Sequence, residues 1–93
     1  MPTIEIPTPL RPYTEQQAAV QVDGETVRTC LSSLTEKYPS LQKHLRDKKG
    51  KLRSFVNIYL GDEDIRSLDN EDTEVEANEV LTIVPSIAGG ANV

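Results

Sequence analysis

The sequence predicts an α+β domain, a mixed sheet packed on one main helix, and three observations carry that prediction. A stretch that alternates polar and apolar residues, Thr3-Ile4-Glu5-Ile6, lies near one end, and a short apolar stretch, Val80-Leu81-Thr82-Ile83-Val84, lies near the other. A single helical stripe, Val27, Leu31, Leu34 and Tyr38, lies between them. The chain has 93 residues, 37% of them hydrophobic, which suits one domain with one modest core.

Thr3 to Ile6 reads as a half-buried strand. Pro7, Pro9 and Pro12 then argue against regular structure, and an extended loop is expected from Pro7 to Gln17. Ala18, Val20 and Val22 alternate again and stop at Asp23-Gly24, a turn signal, so the first two strands form a hairpin with a long connection. Thr26 is placed to cap a helix, because its hydroxyl can accept from an orphan backbone N–H. Cys30 lies beside the helical stripe, and Pro39 ends the helix because the residue before proline avoids the helical region. Leu41 and Leu45 suggest a short second helical turn.

Phe55-Val56-Asn57-Ile58-Tyr59-Leu60 is the strongest strand signal. Its parity sets Val56, Ile58 and Leu60 on one face and Phe55, Asn57 and Tyr59 on the other. Gly61 to Asp64 reads as a turn, Ile65 as a short returning strand, Leu68 and Val75 as core anchors, and Ala77-Asn78 as a turn with a left-handed asparagine. In the last strand Leu81 and Ile83 face the core. Strand, strand, helix, strand, short strand, strand is the order of the β-grasp fold, in which the first and last strands lie side by side at the sheet centre. The expected division is a β-grasp domain over residues 1–87 and a flexible tail over 88–93.

Composition excludes several classes. Net charge is −5, with nine acids and one arginine between Gly61 and Glu79, which argues against general nucleic-acid binding. Those acids could instead steer the domain to a basic partner surface. Six lysines and arginines against one acid fall between Lys43 and Arg53. Lys48-Lys49-Gly50-Lys51 and the acidic run from Asp62 to Glu79 are expected to be solvated. One cysteine allows no internal disulfide and fits a reducing compartment. No apolar run approaches the roughly 18 residues a membrane span needs, and the N-terminus lacks a secretion signal, so a cytoplasmic location is expected.

Converging catalytic groups are not evident. His44 is expected to face solvent and Cys30 to fill the core. No histidine and cysteine set has metal-ligand spacing, and no glycine-rich phosphate loop is present. The chemistry-bearing feature is the tail, Ala88-Gly89-Gly90-Ala91-Asn92-Val93. Glycines let another surface approach the backbone closely, so Ala88 and Gly89 suit threading into a narrow channel. The five residues from Ser86 to Gly90 span at most roughly 17 Å, enough to carry Gly90 into another protein's active site. A Gly90 carboxylate could attack the α-phosphorus of ATP. Displacement of AMP by sulfur would leave a thiocarboxylate, ionised at neutral pH and able to donate its sulfur.

Three segments carry a resemblance that covers nearly the whole chain: Ile6-Pro7-Thr8-Pro9-Leu10-Arg11-Pro12-Tyr13-Thr14, Phe55 to Leu60 with Asp62-Glu63-Asp64-Ile65-Arg66, and Thr82-Ile83-Val84-Pro85-Ser86-Ile87-Ala88-Gly89-Gly90. On them the chain resembles the ubiquitin-like sulfur-carrier proteins of the MoaD/ThiS group, and is most similar to the CysO-type carriers of cysteine biosynthesis. The resemblance implies a protein co-substrate rather than an enzyme. It implies ATP-dependent adenylation by an enzyme of the ubiquitin-activating type and sulfur loading at Gly90. In the CysO branch the thiocarboxylate attacks an activated serine on a PLP-dependent cysteine synthase, and a zinc metallopeptidase of the JAMM type releases the amino acid. PLP and zinc would belong to those partners, and this chain has no site for either.

Ala91-Asn92-Val93 departs from the family pattern, since a carrier must end in a free glycine carboxylate. Some members carry a short extension that a JAMM-type peptidase removes, which predicts cleavage between Gly90 and Ala91. Ala77-Asn78 stands where the family often has Gly-Asp. Strand parity sets Val80, Thr82 and Val84 opposite the core, and Phe55, Tyr59 and Val84 are the expected docking patch. Alternative functions are the small subunit of molybdopterin synthase, a carrier for thiamine or another thioacid metabolite, and a β-grasp binding module that carries no sulfur.

Overall fold

The computed structural model describes residues 1–85. The expectations for Ala88, Gly89, Gly90 and Ala91, and the 87/88 boundary, lie outside the described residues.

Five strands, β1 (Thr3–Glu5), β2 (Ala19–Gln21), β3 (Val56–Leu60), β4 (Glu63–Asp64) and β5 (Val80–Pro85), form one mixed sheet in the order β2-β1-β5-β3-β4. The hairpin of β1 and β2 is antiparallel, and β5 runs parallel to β1 with Ile4 beside Leu81. On its other side β5 runs antiparallel to β3, with Val56 opposite Pro85 and Leu60 opposite Leu81. The first and last strands are therefore neighbours at the centre, the β-grasp arrangement expected from the element order.

The main helix, α1 (Val27–Lys37), starts as anticipated. Thr26 is its N-cap, and the Thr26 and Thr29 side chains cap each other's backbone N–H groups. Val27, Cys30, Leu31 and Leu34 are buried in one core with Ile4, Val20, Ile58, Leu81 and Ile83 from the sheet. The helix ends at Lys37, one residue short of the Tyr38-Pro39 bond. A 3-10 turn over Pro39–Leu41, which buries Leu41, leads into the short α2 (Gln42–Leu45), which buries Leu45.

Gly24 allows the close approach that seats α1. A Cβ built there would lie 2.7 Å from the Cys30 backbone nitrogen and 2.8 Å from the Cys30 sulfur. Gly24→Ala should cost about 1–3 kcal/mol, because the helix start must move. Chemical denaturation checks this, and an unchanged midpoint would refute it.

Four expectations are corrected. Thr8–Thr14 is a 3-10 turn, not an extended loop. Proline cannot supply an N–H, but its fixed φ suits a 3-10 turn as well as extended backbone. The turn buries Leu10 and Thr14, whose hydroxyl donates to the Gln17 carbonyl at 3.0 Å. Ile65 is not a strand residue. The returning strand is Glu63–Asp64, and Ile65 opens a 3-10 turn capped by the Asp64 carboxylate accepting from the Arg66 N–H at 2.9 Å. Ala77-Asn78 does turn, closed by Glu79 N–H on the Glu76 carbonyl at 3.0 Å, but the left-handed asparagine is Asn70. Nor is the acidic run solvated throughout, although Lys48-Lys49-Gly50-Lys51 is exposed as expected. Arg46 makes two bonds to Glu71, at 2.6 and 3.2 Å, with both side chains largely buried. The basic and acidic segments are clamped there because a planar guanidinium fits a carboxylate in two places.

Candidate functional site

The last strand delivers the chain to its tail. β5 lies between β1 and β3, paired with β1 through Thr82 and with β3 as far as Pro85, which sits opposite Val56. Alternation along β5 buries Leu81 and Ile83 and turns Val80, Thr82 and Val84 to the outer face, as the parity predicts.

On that face the apolar residues are unevenly placed. Val84 is 40% exposed and Phe55 47% exposed, both next to the point where the tail begins. Tyr59 lies further along β3, partly buried, opposite Thr82 and Asp64. Asn57 separates it from Phe55, and the Asn57 side chain accepts from Arg66 at 2.6 Å. Arg66 in turn grips Asp64 and holds its carboxyl below the usual carboxylate range. The exposed apolar pair nearest the tail is thus Phe55 and Val84, with Tyr59 beyond a polar clamp.

Two hollows flank Pro85. One, of about 340 Å³, has Leu10, Val56, Phe55 and Pro85 among its walls and Lys43 and Arg53 at its edge. The other, of about 460 Å³, lies between Pro7, Arg11, Ala18 and Val84. His44 borders the first and is not solvent-facing as expected. Its ring stacks on Tyr13 with centroids 4.1 Å apart, and its Nε2 is buried without a hydrogen-bond partner among the described residues. The 3-10 turn over Thr8–Thr14 brings Tyr13 onto α2, a long-range contact that local sequence does not announce.

Cys30 is fully buried, and burial pushes its thiol up, away from the nucleophilic thiolate. Among the described residues no group of three or more histidine, cysteine, aspartate or glutamate side chains could hold a metal ion. No described helix is long and apolar enough to cross a membrane.

Sequence reasoning passed over Arg11 and Arg53. Arg11 donates its Nε–H to the Ile6 carbonyl at 3.1 Å, and Arg53 donates its own to the Lys43 carbonyl at 2.8 Å. The one hint for Arg11 was its place inside the Pro-rich segment. Arg53 reads as one cation in a basic run, and nothing local sets it apart.

Comparison with known proteins agrees with this architecture. The ThiS family model matches residues 4–90. The chain is 40% identical over 90 residues to the sulfur carrier protein CysO of Mycobacterium tuberculosis, covering 95% of this chain and 97% of that one. Two solved structures superimpose closely. The Amycolatopsis orientalis BexX/CysO complex matches with TM-score 0.87 and 33% identity, over 97% of this chain and 100% of the other. The M. tuberculosis CysO structure matches with TM-score 0.85 and 38% identity, over 92% and 99%. A matching family model that spans almost the whole chain, together with a shared β-grasp fold, places this protein in the ThiS family.

Proposed function

We propose that this chain is a sulfur carrier whose reactive group is the Gly90 carboxylate, freed by removal of Ala91-Asn92-Val93. The observation that carries the proposal is that the family match runs unbroken from the first strand through residue 90, so body and glycine pair match as one unit. The curated CysO relative supports it, being itself a sulfur carrier protein.

The body contributes recognition and the tail contributes the nucleophile. An adenylating enzyme of the ubiquitin-activating type binds the outer face, and Ala88 and Gly89 thread its channel. The Gly90 carboxylate oxygen attacks the α-phosphorus of ATP, pyrophosphate leaves, and an acyl-adenylate forms. A sulfur nucleophile then displaces AMP and leaves a thiocarboxylate. The acceptor we assign, from the likeness to CysO-type carriers, is an activated serine on a PLP-dependent cysteine synthase. A JAMM-type zinc peptidase releases the product and removes the extension. PLP, zinc and ATP are held by those partners.

Intact mass after incubation of a Gly90-terminated chain with an adenylating partner, ATP and a sulfide source tests the reading. Replacement of one oxygen by sulfur is the expected result. An unchanged mass would favour a binding module.

The docking patch has its own test. Phe55→Ala should lower kcat/KM for adenylation about tenfold, as loss of an exposed aromatic anchor does. Its melting temperature should hold, because nearly half of the side chain is exposed. Tyr59→Ala should weaken adenylation in the same direction. Normal adenylation by both variants would remove the patch from the mechanism.

A further inference from the structure

Among the described residues three arginines are ion-paired, Arg28 with Asp72, Arg46 with Glu71 and Arg66 with Asp64. The chain's other two, Arg11 and Arg53, form no ion pair with a described carboxylate. Both of these line the hollows that flank Pro85, one on each side.

Their geometry is alike. Each is partly buried, and each spends its Nε–H on a backbone carbonyl, Arg11 on Ile6 and Arg53 on Lys43. That bond fixes the side chain, and the two terminal nitrogens of the guanidinium, the edge that grips a carboxylate in two places, have no hydrogen-bond partner among the described residues. Nearby acids are otherwise engaged. Glu5, across the hollow from Arg11, accepts from the Thr82 hydroxyl at 3.1 Å. Asp47, near enough to feel the Arg53 charge, accepts from the backbone N–H groups of Lys51 at 3.1 Å and Lys49 at 2.8 Å.

Charge is divided along the sheet to match. Leu60 pairs with Leu81 at one end and Val56 with Pro85 at the other. The acidic turns carrying Asp62, Glu63, Glu76 and Glu79 therefore sit at the end away from Pro85, while Arg11, Lys43 and Arg53 ring the end where the tail begins. A partner that receives the tail meets cations, although the chain as a whole carries −5.

We infer that Arg11 and Arg53 are a two-point clamp for aspartate or glutamate side chains at the mouth of the enzyme channel that receives the tail. The anions the clamp meets are carboxylates of the partner protein and not the phosphates of ATP, because the five residues from Ser86 to Gly90 can set the reacting phosphate as much as roughly 17 Å from Pro85. The inference rests on the carrier reading and adds to it which side chains select the partner and what chemistry they select.

The test uses the Gly90-terminated chain and the adenylating enzyme that loads it. Kd is measured at low and high salt for the wild type, Arg11→Ala, Arg53→Ala, the double alanine variant, the double lysine variant and a control, Glu36→Gln, on the exposed side of α1. Each alanine should weaken binding roughly tenfold and the pair about a hundredfold, with a shallower salt dependence. The lysines should restore the salt dependence but only part of the affinity, because an ammonium cannot grip both oxygens. The distal control should bind like the wild type. Melting temperatures for every variant separate loss of contact from loss of fold. Wild-type affinity in the folded alanine variants would overturn the clamp while leaving a loaded wild type, and so the carrier reading, intact. A wild type that takes up no sulfur would overturn both.

Discussion

A chain ending at Gly90 should take up one sulfur in place of one oxygen, and the same chain with Ala91-Asn92-Val93 attached should take up none. The effect is all or none because it rests on bond type. A free carboxylate carries a full negative charge on oxygens that can reach the α-phosphorus of ATP. In a Gly90–Ala91 peptide the carbonyl is neutral and its nitrogen lone pair is delocalised, which leaves no competent nucleophile. Pyrophosphate release measured beside intact mass checks both halves of the step. Adding a JAMM-type zinc peptidase to the longer form should restore loading. Gly90→Ala in the trimmed form should sharply reduce loading, because the new methyl meets channel walls shaped for bare backbone. Sulfur appearing on the longer form without trimming would end the idea that Gly90 is the carrier terminus.

Leu81→Ala should bring the largest loss of stability. Leu81 has no exposed surface and lies on the central strand, between Ile4 on one side and Leu60 on the other. Truncating a buried leucine costs about 3–5 kcal/mol, transfer and cavity combined. For a domain of this size that lowers the melting temperature by roughly 15–25 °C. Calorimetry reads it directly. Because β5 also leads to the tail, partner binding should fall in step with the folded fraction. A shift below a few degrees would mean that the sheet centre packs differently.

The parts of this molecule that were legible in its sequence share a physical origin. A strand's parity and a helix's stripe are local, so Val56 and Ile58, Leu81 and Ile83, and Val27, Leu31 and Leu34 could be placed on buried faces from spacing alone. Thr26 was legible because capping acts within one turn. The Pro-rich segment was not, since proline's φ is shared by extended and 3-10 backbone and the choice is made by burying Leu10 and Thr14. Glu63–Asp64 rather than Ile65 became the edge strand because pairing to Tyr59 and Leu60 sets the register.

Residue order and periodicity by themselves determined the class of fold, the main helix with its cap and the faces of the last two long strands. Only the tertiary structure decided the surroundings of Pro85. The His44–Tyr13 stack and the Arg46–Glu71 clamp join residues 31 and 25 positions apart. Arg11 and Arg53, far apart in the chain, face the same exit for a related reason: β1 leads into the turn that carries Arg11, and β3 starts opposite Pro85. Contacts of that range depend on how whole elements pack, and no local pattern encodes them.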